Sequence, residues 1–272
     1  MENDTLATHI IMSYEAGLAA DYTDIGPIGE IGQDREYLGM SGAGRCQRQL
    51  GLSVTPQVDR KPDSIETKAI FKDGYLFEAD TVARLRAGGL EIEDQQQEMV
   101  HDEFPEIKGH HDGLIRIEGE WVLLEIKSMR SYPQAKVLGT RGRGKNAINE
   151  NVVGQRAGGF TLASGVIEET NQPYWAQVQV YLRSLDLRRA AMVCRFKETG
   201  QIAVEIIERN DAAADGYLAK LANIMNHVQE GMVLPADHHP GVDWQCNYCD
   251  YLDVCDGSNR GLLTIEQFLE VK

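Results

Sequence analysis

The chain has 272 residues, 42 acidic side chains against 27 basic ones, a formal net charge of −15 and 42% hydrophobic residues. That hydrophobic share excludes a disordered or collagen-like chain, and no apolar run approaches the ~18 residues of a membrane span. The start, Met1-Glu2-Asn3-Asp4, lacks the basic residues of a secretory signal, and on average charge alone the chain repels nucleic acid.

Residues 1–40 hold eight acids and one base, Arg35, and read as an acidic N-terminal extension. Within it Leu6, Ile10, Ile11, Tyr14 and Leu18 recur at helical spacing, followed by a Gly-rich connector. Ile70, Leu76, Phe77, Val82 and Leu85 predict a helix from Ser64 to about Arg86, stopped at Gly88-Gly89. Strands are predicted at Leu90 to Val100, Ile107 to Ile117 and Trp121 to Met129, the last two forming a hairpin through Gly119. After a less regular stretch, Pro173 opens a helix over Tyr174 to Leu185. A second hairpin, Ala190 to Lys197 and Ile202 to Glu208, turns at Thr199-Gly200, and Asn210 caps a helix from Asp211 to Val228. A short helix at Ile265 to Leu269 lies in the C-terminal segment, 257–272. This order implies a mixed α/β domain over 41–256 around one central sheet.

Five cysteines, an odd number, argue against a disulfide framework and for a reducing, cytoplasmic setting. Cys246, Cys249 and Cys255 are spaced C-x2-C-x5-C, as a soft-metal centre requires, and Cys46 is the natural fourth ligand. The spacing alone accommodates zinc or an iron–sulfur cluster. Cys194, in an apolar strand, reads as a buried structural thiol.

The most informative segment is Gly109-His110-His111-Asp112-Gly113, followed by Glu125-Ile126-Lys127. Glu125 and Lys127 project from one face of a strand, and the hairpin sets Asp112 opposite Glu125. Buried carboxylates are expensive unless they are paired or bind a cation. Oxygen ligands of this kind suit Mg²⁺ or Mn²⁺, and with a lysine beside them they suit metal-assisted phosphodiester hydrolysis.

Asp112, twelve residues, then Glu125-Ile126-Lys127 resembles the core of the PD-(D/E)XK nucleases, and the surrounding pattern is similar to their RecB-like exonuclease branch. Gly74-Tyr75-Leu76-Phe77-Glu78 matches that branch's preceding helix, with Glu78 as the acid. Gln177-Val178-Gln179-Val180-Tyr181 matches its Q-x-x-x-Y helix. Where some members carry a helix histidine this chain has Phe77, leaving that ligand position to Glu78 or to His110 or His111. Cys46 followed by Arg48, with the late cysteine triplet, is similar to the iron–sulfur subgroup that includes AddB nuclease domains and CRISPR-associated Cas-four exonucleases.

The resemblance implies a restriction-endonuclease-like α/β core, a central mixed sheet flanked by helices, with an iron–sulfur-stapled helical and loop subdomain joining the chain ends. It implies a DNA exonuclease of recombination, repair or end processing, bacterial or phage-encoded. Glu78, Asp112, Glu125 and the Ile126 carbonyl would hold Mg²⁺ or Mn²⁺, Lys127 would assist the water, and Gln177 and Tyr181 would position the strand. Cys46, Cys246, Cys249 and Cys255 would hold a [4Fe–4S] cluster, with zinc as the alternative.

Between Glu125 and Glu150 there is no acid, while Lys127, Arg130, Lys136, Arg141, Arg143 and Lys145 supply six bases. Arg130, Lys136, Arg141, Arg143 and Lys145 are therefore expected to follow a phosphate backbone, without reading base sequence, and Trp175 and Tyr132 could stack bases. The expected substrate is single-stranded DNA or duplex ends, with a helicase, recombinase or integrase as partner and no membrane. The rival readings are a non-catalytic DNA-end-binding or scaffold module of a recombination or CRISPR-adaptation complex, and a zinc-stapled DNA-processing protein.

Overall fold

The computed structural model describes residues 2–20, 36–117, 119–142, 147–255 and 261–270. Helix α1 (Asn3–Ala19) buries Leu6, Ile10, Ile11 and Tyr14, as their spacing predicts, whereas Leu18 is exposed. Strand β1 (Leu38–Gly39) and helix α2 (Gln47–Leu52) lead to α3 (Ile65–Ala87). The Ser64 hydroxyl accepts the Thr67 amide at 3.1 Å, satisfying one orphan donor of the α3 N-terminus, and Gly88 ends the helix. Helices α1 and α3 meet at backbone distance. A Cβ on Gly17 would stand 1.9 Å from the Arg84 carbonyl oxygen, and one on Gly88 1.7 Å from that of Ser13.

Two segments expected as single strands are each divided between two sheets. Leu90 to Val100 forms β2 (Glu91–Glu93) and β3 (Glu98–Val100), separated by a turn in which Asp94 and Gln96 take φ of 51° and 59°. The interrupting run Asp94-Gln95-Gln96-Gln97 has no apolar side chain to bury, so nothing holds it in a sheet. Ile107 to Ile117 forms β4 (Ile107–His110) and β5 (Gly113–Ile117), jointed at His111-Asp112, and Gly113 takes a φ of 154°. Strands β1, β4 and β3 make a small sheet.

The hairpin of β5 with β6 (Glu120–Met129) is as expected, with Ile117 opposite Glu120 and Gly119 at φ 84°. The stretch read as irregular contains α4 (Ser131–Leu138), a small ladder of β7 (Thr140–Arg141) with β8 (Ile148–Asn149), then β9 (Val152–Arg156), β10 (Gly159–Leu162) and α5 (Val166–Thr170). Helix α6 (Gln172–Ser184), the β11 (Arg189–Phe196) and β12 (Ile202–Glu208) hairpin and α7 (Asp211–Gln229) follow the predicted pattern, Asn210 accepting the Ala213 amide as the cap of α7. Strands β13 (Met232–Val233) and β14 (Leu263–Thr264) pair before α8 (Ile265–Glu270).

The main sheet has seven strands in the order β2-β5-β6-β11-β12-β10-β9, with β6 parallel to β11 and β10 parallel to β12. Side chains alternate across it. Leu123 and Met192 pack under α6 and α7 with Val178, Leu182 and Leu221, whereas Leu124, Ile126 and Val193 pack under α1 and α3 with Ile10 and Val82. Each such aliphatic side chain contributes roughly 1.5–3 kcal/mol by leaving water. The same alternation puts Glu125 and Lys127 on the α6 side. A third cluster, Leu52, Val58, Val233, Tyr251 and Phe268, ties α2 to the C-terminal segment.

Candidate active site

The β4–β5 joint, the middle of β6, α3 and α6 bring the predicted acidic and amide residues together. Asp112, 7% exposed, accepts the Ile126 amide through Oδ2 at 2.6 Å, so the β5–β6 register locks this carboxylate beside Glu125. Glu125, 1% exposed, accepts Lys127 Nζ at 2.5 Å and Gln177 Nε2 at 2.7 Å, both through Oε1. Its Oε2 is buried and has no hydrogen-bond partner among the described residues. Lys127 Nζ also lies 5.4 Å from the centroid of the Tyr174 ring, which confines the ammonium by a cation–π contact.

Tyr181 is buried one turn along α6 from Gln177, with a hydrogen bond between the two side chains. Gly109 makes its place possible, since a Cβ there would stand 2.9 Å from Tyr181 Cε1. Gln179, between them, faces away and brackets the β12–α7 junction by donating to the Glu208 carbonyl and accepting the Asn210 amide.

Sequence reasoning passed over Gln96, although it joins two of the carboxylates. Its Nε2 donates to Glu78 Oε1 at 2.6 Å and reaches Asp112 Oδ1 at 3.3 Å, while its backbone amide donates to the His111 carbonyl at 2.9 Å. A polar tract in a turn carries no signal of such a role. Arg195 was also missed. From β11 it reaches α3, ion-pairing with Asp80 and donating to Thr81 Oγ1 at 3.2 Å. This fixes the helix turn that bears Glu78, and a charged residue inside an otherwise apolar strand was the available clue. Phe77, where a ligand histidine was considered, instead presents its ring to Arg195 and Lys197, at 5.0 and 5.1 Å from its centroid. His110 lies 3.7 Å from Glu98, and His111 is buried with neither ring nitrogen hydrogen-bonded to a described residue.

Three carboxylates in one desolvated space perturb one another. Burial raises the Glu78 carboxyl to about 7; the Gln96 hydrogen bond opposes the rise and the Glu125 charge adds to it. Burial, then the charges of Glu125 and Glu78, hold Asp112 well above the usual carboxylate range. Burial works against the Lys127 ammonium, yet Glu125 and Asp112 hold its pKa above the ordinary lysine value. Burial and the Glu125 charge raise the Tyr181 phenol.

Among the described residues, no three His, Cys, Asp or Glu side chains stand close enough together to hold a metal ion as they are. In donor type the pocket nevertheless fits a hard divalent cation. It offers two buried carboxylates and a half-buried one, with one orphaned oxygen on Glu125, and the other carboxylate contacts are made by the Gln96 and Gln177 amides, the Ile126 backbone amide and the Lys127 ammonium.

The structure describes three of the five bases expected to follow a phosphate backbone. Lys136 donates to the Thr170 carbonyl and Arg141 pairs with Glu150 at 2.7 Å, and both side chains remain exposed. Arg130 is exposed at the start of α4, beside Glu198, which accepts the Ser131 amide. Arg143 and Lys145 lie outside the described residues. Trp175 is core, edge-on to Tyr217, whereas Tyr132 is 82% exposed.

The four predicted cysteine ligands line one cavity, though not close enough together to hold a metal ion as they are. Cys46, at the start of α2, lines a cavity together with Cys246, Cys249 and Cys255, and all four are free thiols. Burial raises the Cys46 and Cys246 thiols, and raises Cys249 to about 11. Four thiols around one space fit a metal group that replaces their protons. Cys194 is buried in β11, away from them, as expected.

No family model matches the chain, and no curated protein matches it. Among solved structures it is similar to LHK-Exo in complex with dAMP, with a TM-score of 0.48 and 14% identity over 72% of this chain and 90% of that one. It is similar to the alkaline exonuclease LHK-Exo from Laribacter hongkongensis, with a TM-score of 0.47 and 13% identity over the same shares, 72% and 90%. For SSO0001 the TM-score is 0.43, with 14% identity over 94% of this chain and 98% of that one.

Proposed function

We propose that this chain is a metal-dependent DNA exonuclease with a PD-(D/E)XK-type site and a structural [4Fe–4S] cluster. The observation that carries the reading is the convergence of Glu78, Asp112, Glu125 and Lys127 from three elements, with Gln177 and Tyr181 of α6 behind them. Glu78, Asp112, Glu125 and the Ile126 carbonyl would hold Mg²⁺ or Mn²⁺, and such an ion supplies Lewis-acid polarisation of the phosphate and acidifies water.

The chain's own groups do the rest. Gln177 fixes the Glu125 rotamer by holding Oε1, which leaves Oε2 directed elsewhere. Lys127, held on Glu125 and over Tyr174, keeps a positive charge where the attacking water and the developing negative charge of the phosphate would lie. Water attacks phosphorus and gives up a proton, the P–O ester bond breaks, and the leaving oxygen takes up a proton in exchange through solvent. Tyr181 props Gln177 from below. Cys46, Cys246, Cys249 and Cys255 would hold the cluster that ties α2 to the C-terminal loop.

The test is digestion of 5′- and 3′-labelled single- and double-stranded DNA with Mg²⁺ or Mn²⁺. Wild-type protein shortens the labelled strands from an end, while Asp112→Asn and Lys127→Ala fold but do not cleave. Full activity in either variant removes this site from consideration. DNA-end binding by the wild type with no cleavage in either metal identifies the non-catalytic module instead.

A further inference from the structure

We propose that Arg48 and His238 are the polar contacts of the thiolate-held group in the cysteine cavity, and that Arg48 makes the group easier to reduce. The inference rests on the cluster reading above and concerns two residues that reading does not use. Both line the cavity. Arg48 is 1% exposed; its Nε donates to the Leu234 carbonyl at 2.8 Å, and the Phe268 ring lies 5.8 Å from its Cζ. Fixed in this way, its Nη1 reaches to 3.7 Å from Cys255 Sγ. A guanidinium keeps its proton under all ordinary conditions, so the cavity wall carries a permanent positive charge within N–H···S reach of one of the four sulfurs.

His238 supplies the second observation. Its Nδ1 is buried without a hydrogen-bond partner among the described residues. An orphaned buried ring nitrogen costs about 1–3 kcal/mol, and a sulfur of a group filling the cavity would end that cost. Cys46 instead has an acid beside it, Asp237, which lies 3.5 Å from Lys220. The positive charge is therefore placed on the Cys255 side.

Adding an electron makes a four-thiolate cluster more negative. A donor N–H and a fixed positive charge beside a sulfur stabilise that added charge more than the oxidised state, which favours reduction. Losing Arg48 therefore lowers the reduced fraction at a given redox poise.

The experiment uses the full-length chain, reconstituted anaerobically with ferrous iron and sulfide and titrated with dithionite, following visible absorption and the reduced-cluster resonance. Wild-type protein loads a cluster. Arg48→Met loads one whose reduced-to-oxidised ratio at the same poise is about tenfold lower, equivalent to ~59 mV for one electron, and His238→Ala lowers the ratio about threefold. If Arg48→Met does not fold, His238→Ala and Arg48→Lys decide, the lysine variant keeping the charge and more than half of the effect. Loaded variants that titrate like wild type overturn the inference and leave the cluster reading standing. A wild-type protein that takes up zinc but no iron–sulfur chromophore overturns the cluster reading, and this inference with it.

Discussion

Replacing Glu78 by glutamine isolates the electrostatic cost of bringing these carboxylates together. In the metal-free protein the carboxyl titrates near 7 rather than the ordinary 4.5, chiefly because it is buried. A raised carboxylate pKa means that the folded chain retains a proton the unfolded chain releases. Its stabilising contribution is complete below the unfolded pKa and is lost as pH rises through the folded one. The pH window thus runs from 4.5 to about 7, and at ~1.36 kcal/mol per unit the loss is about 3 kcal/mol. Glutamine keeps the oxygen that accepts Gln96 Nε2 but does not titrate. Urea denaturation of both proteins in chelator, from pH 4.5 to pH 8, measures the difference. The variant should gain about 3 kcal/mol on wild type across this range, and Mg²⁺ should raise the wild type selectively at pH 8. Parallel stability curves for the two proteins would refute a buried Glu78 pressed against Glu125.

Other changes test the supports of the site. Gln96→Ala removes the amide between Glu78 and Asp112 and should destabilise the metal-free protein at pH 8 by about 1–2 kcal/mol, read by the same urea titration. Glu205 is buried in β12 and accepts the Gly165 and Ile167 amides at 2.7 Å each, anchoring α5 just ahead of α6. Glu205→Ala strands both donors and should cost about 2–4 kcal/mol by thermal melt, with activity falling as Gln177 and Tyr181 lose their support. Gly17→Ala drives a methyl against the Arg84 carbonyl and should cost about 2 kcal/mol or more, measured by urea denaturation, without altering the nucleotide products.

Asp112, Glu125, Lys127, Gln177 and Tyr181 were legible because short-range rules place them: two residues along a strand share a face, four along a helix share a face, and a tight hairpin fixes register. Gln96 was not. Its place depends on the Asp94–Gln96 turn, which exists because β2 and β3 belong to different sheets, and the alternating pattern from Leu90 to Val100 does not show that division. The same blindness hid the β4–β5 joint, although the joint is what turns Asp112 toward Ile126. The 130–170 region failed for another reason. Its strands are short or lie at a sheet edge, and β10 is secured by parallel pairing with β12 some forty residues later in the chain. Within the basic tract, counting charges along the chain does not show contacts made in the fold, here Lys136 with the Thr170 carbonyl and Arg141 with Glu150.

The net charge of −15 then takes a different meaning. The sequence suggested acids held away from a basic track. In the fold, Lys127 is held on Glu125, Lys136 donates to α5 and Arg141 pairs with Glu150, so three of the six bases have contacts within the fold. Once Glu78 and Asp112 have ionised, the pocket sets three carboxylates against one ammonium, and a phosphate entering it without a divalent ion meets net repulsion in a low-dielectric space where screening is weak. Under the proposed function the substrate therefore cannot be drawn in by side chains alone. Its affinity for this pocket must depend on the divalent charge the carboxylates hold. Divalent-ion dependence would then appear in binding as well as in the rate of hydrolysis, because an ion held by Glu78, Asp112 and Glu125 would both acidify the water and reverse the sign of the field the phosphate meets.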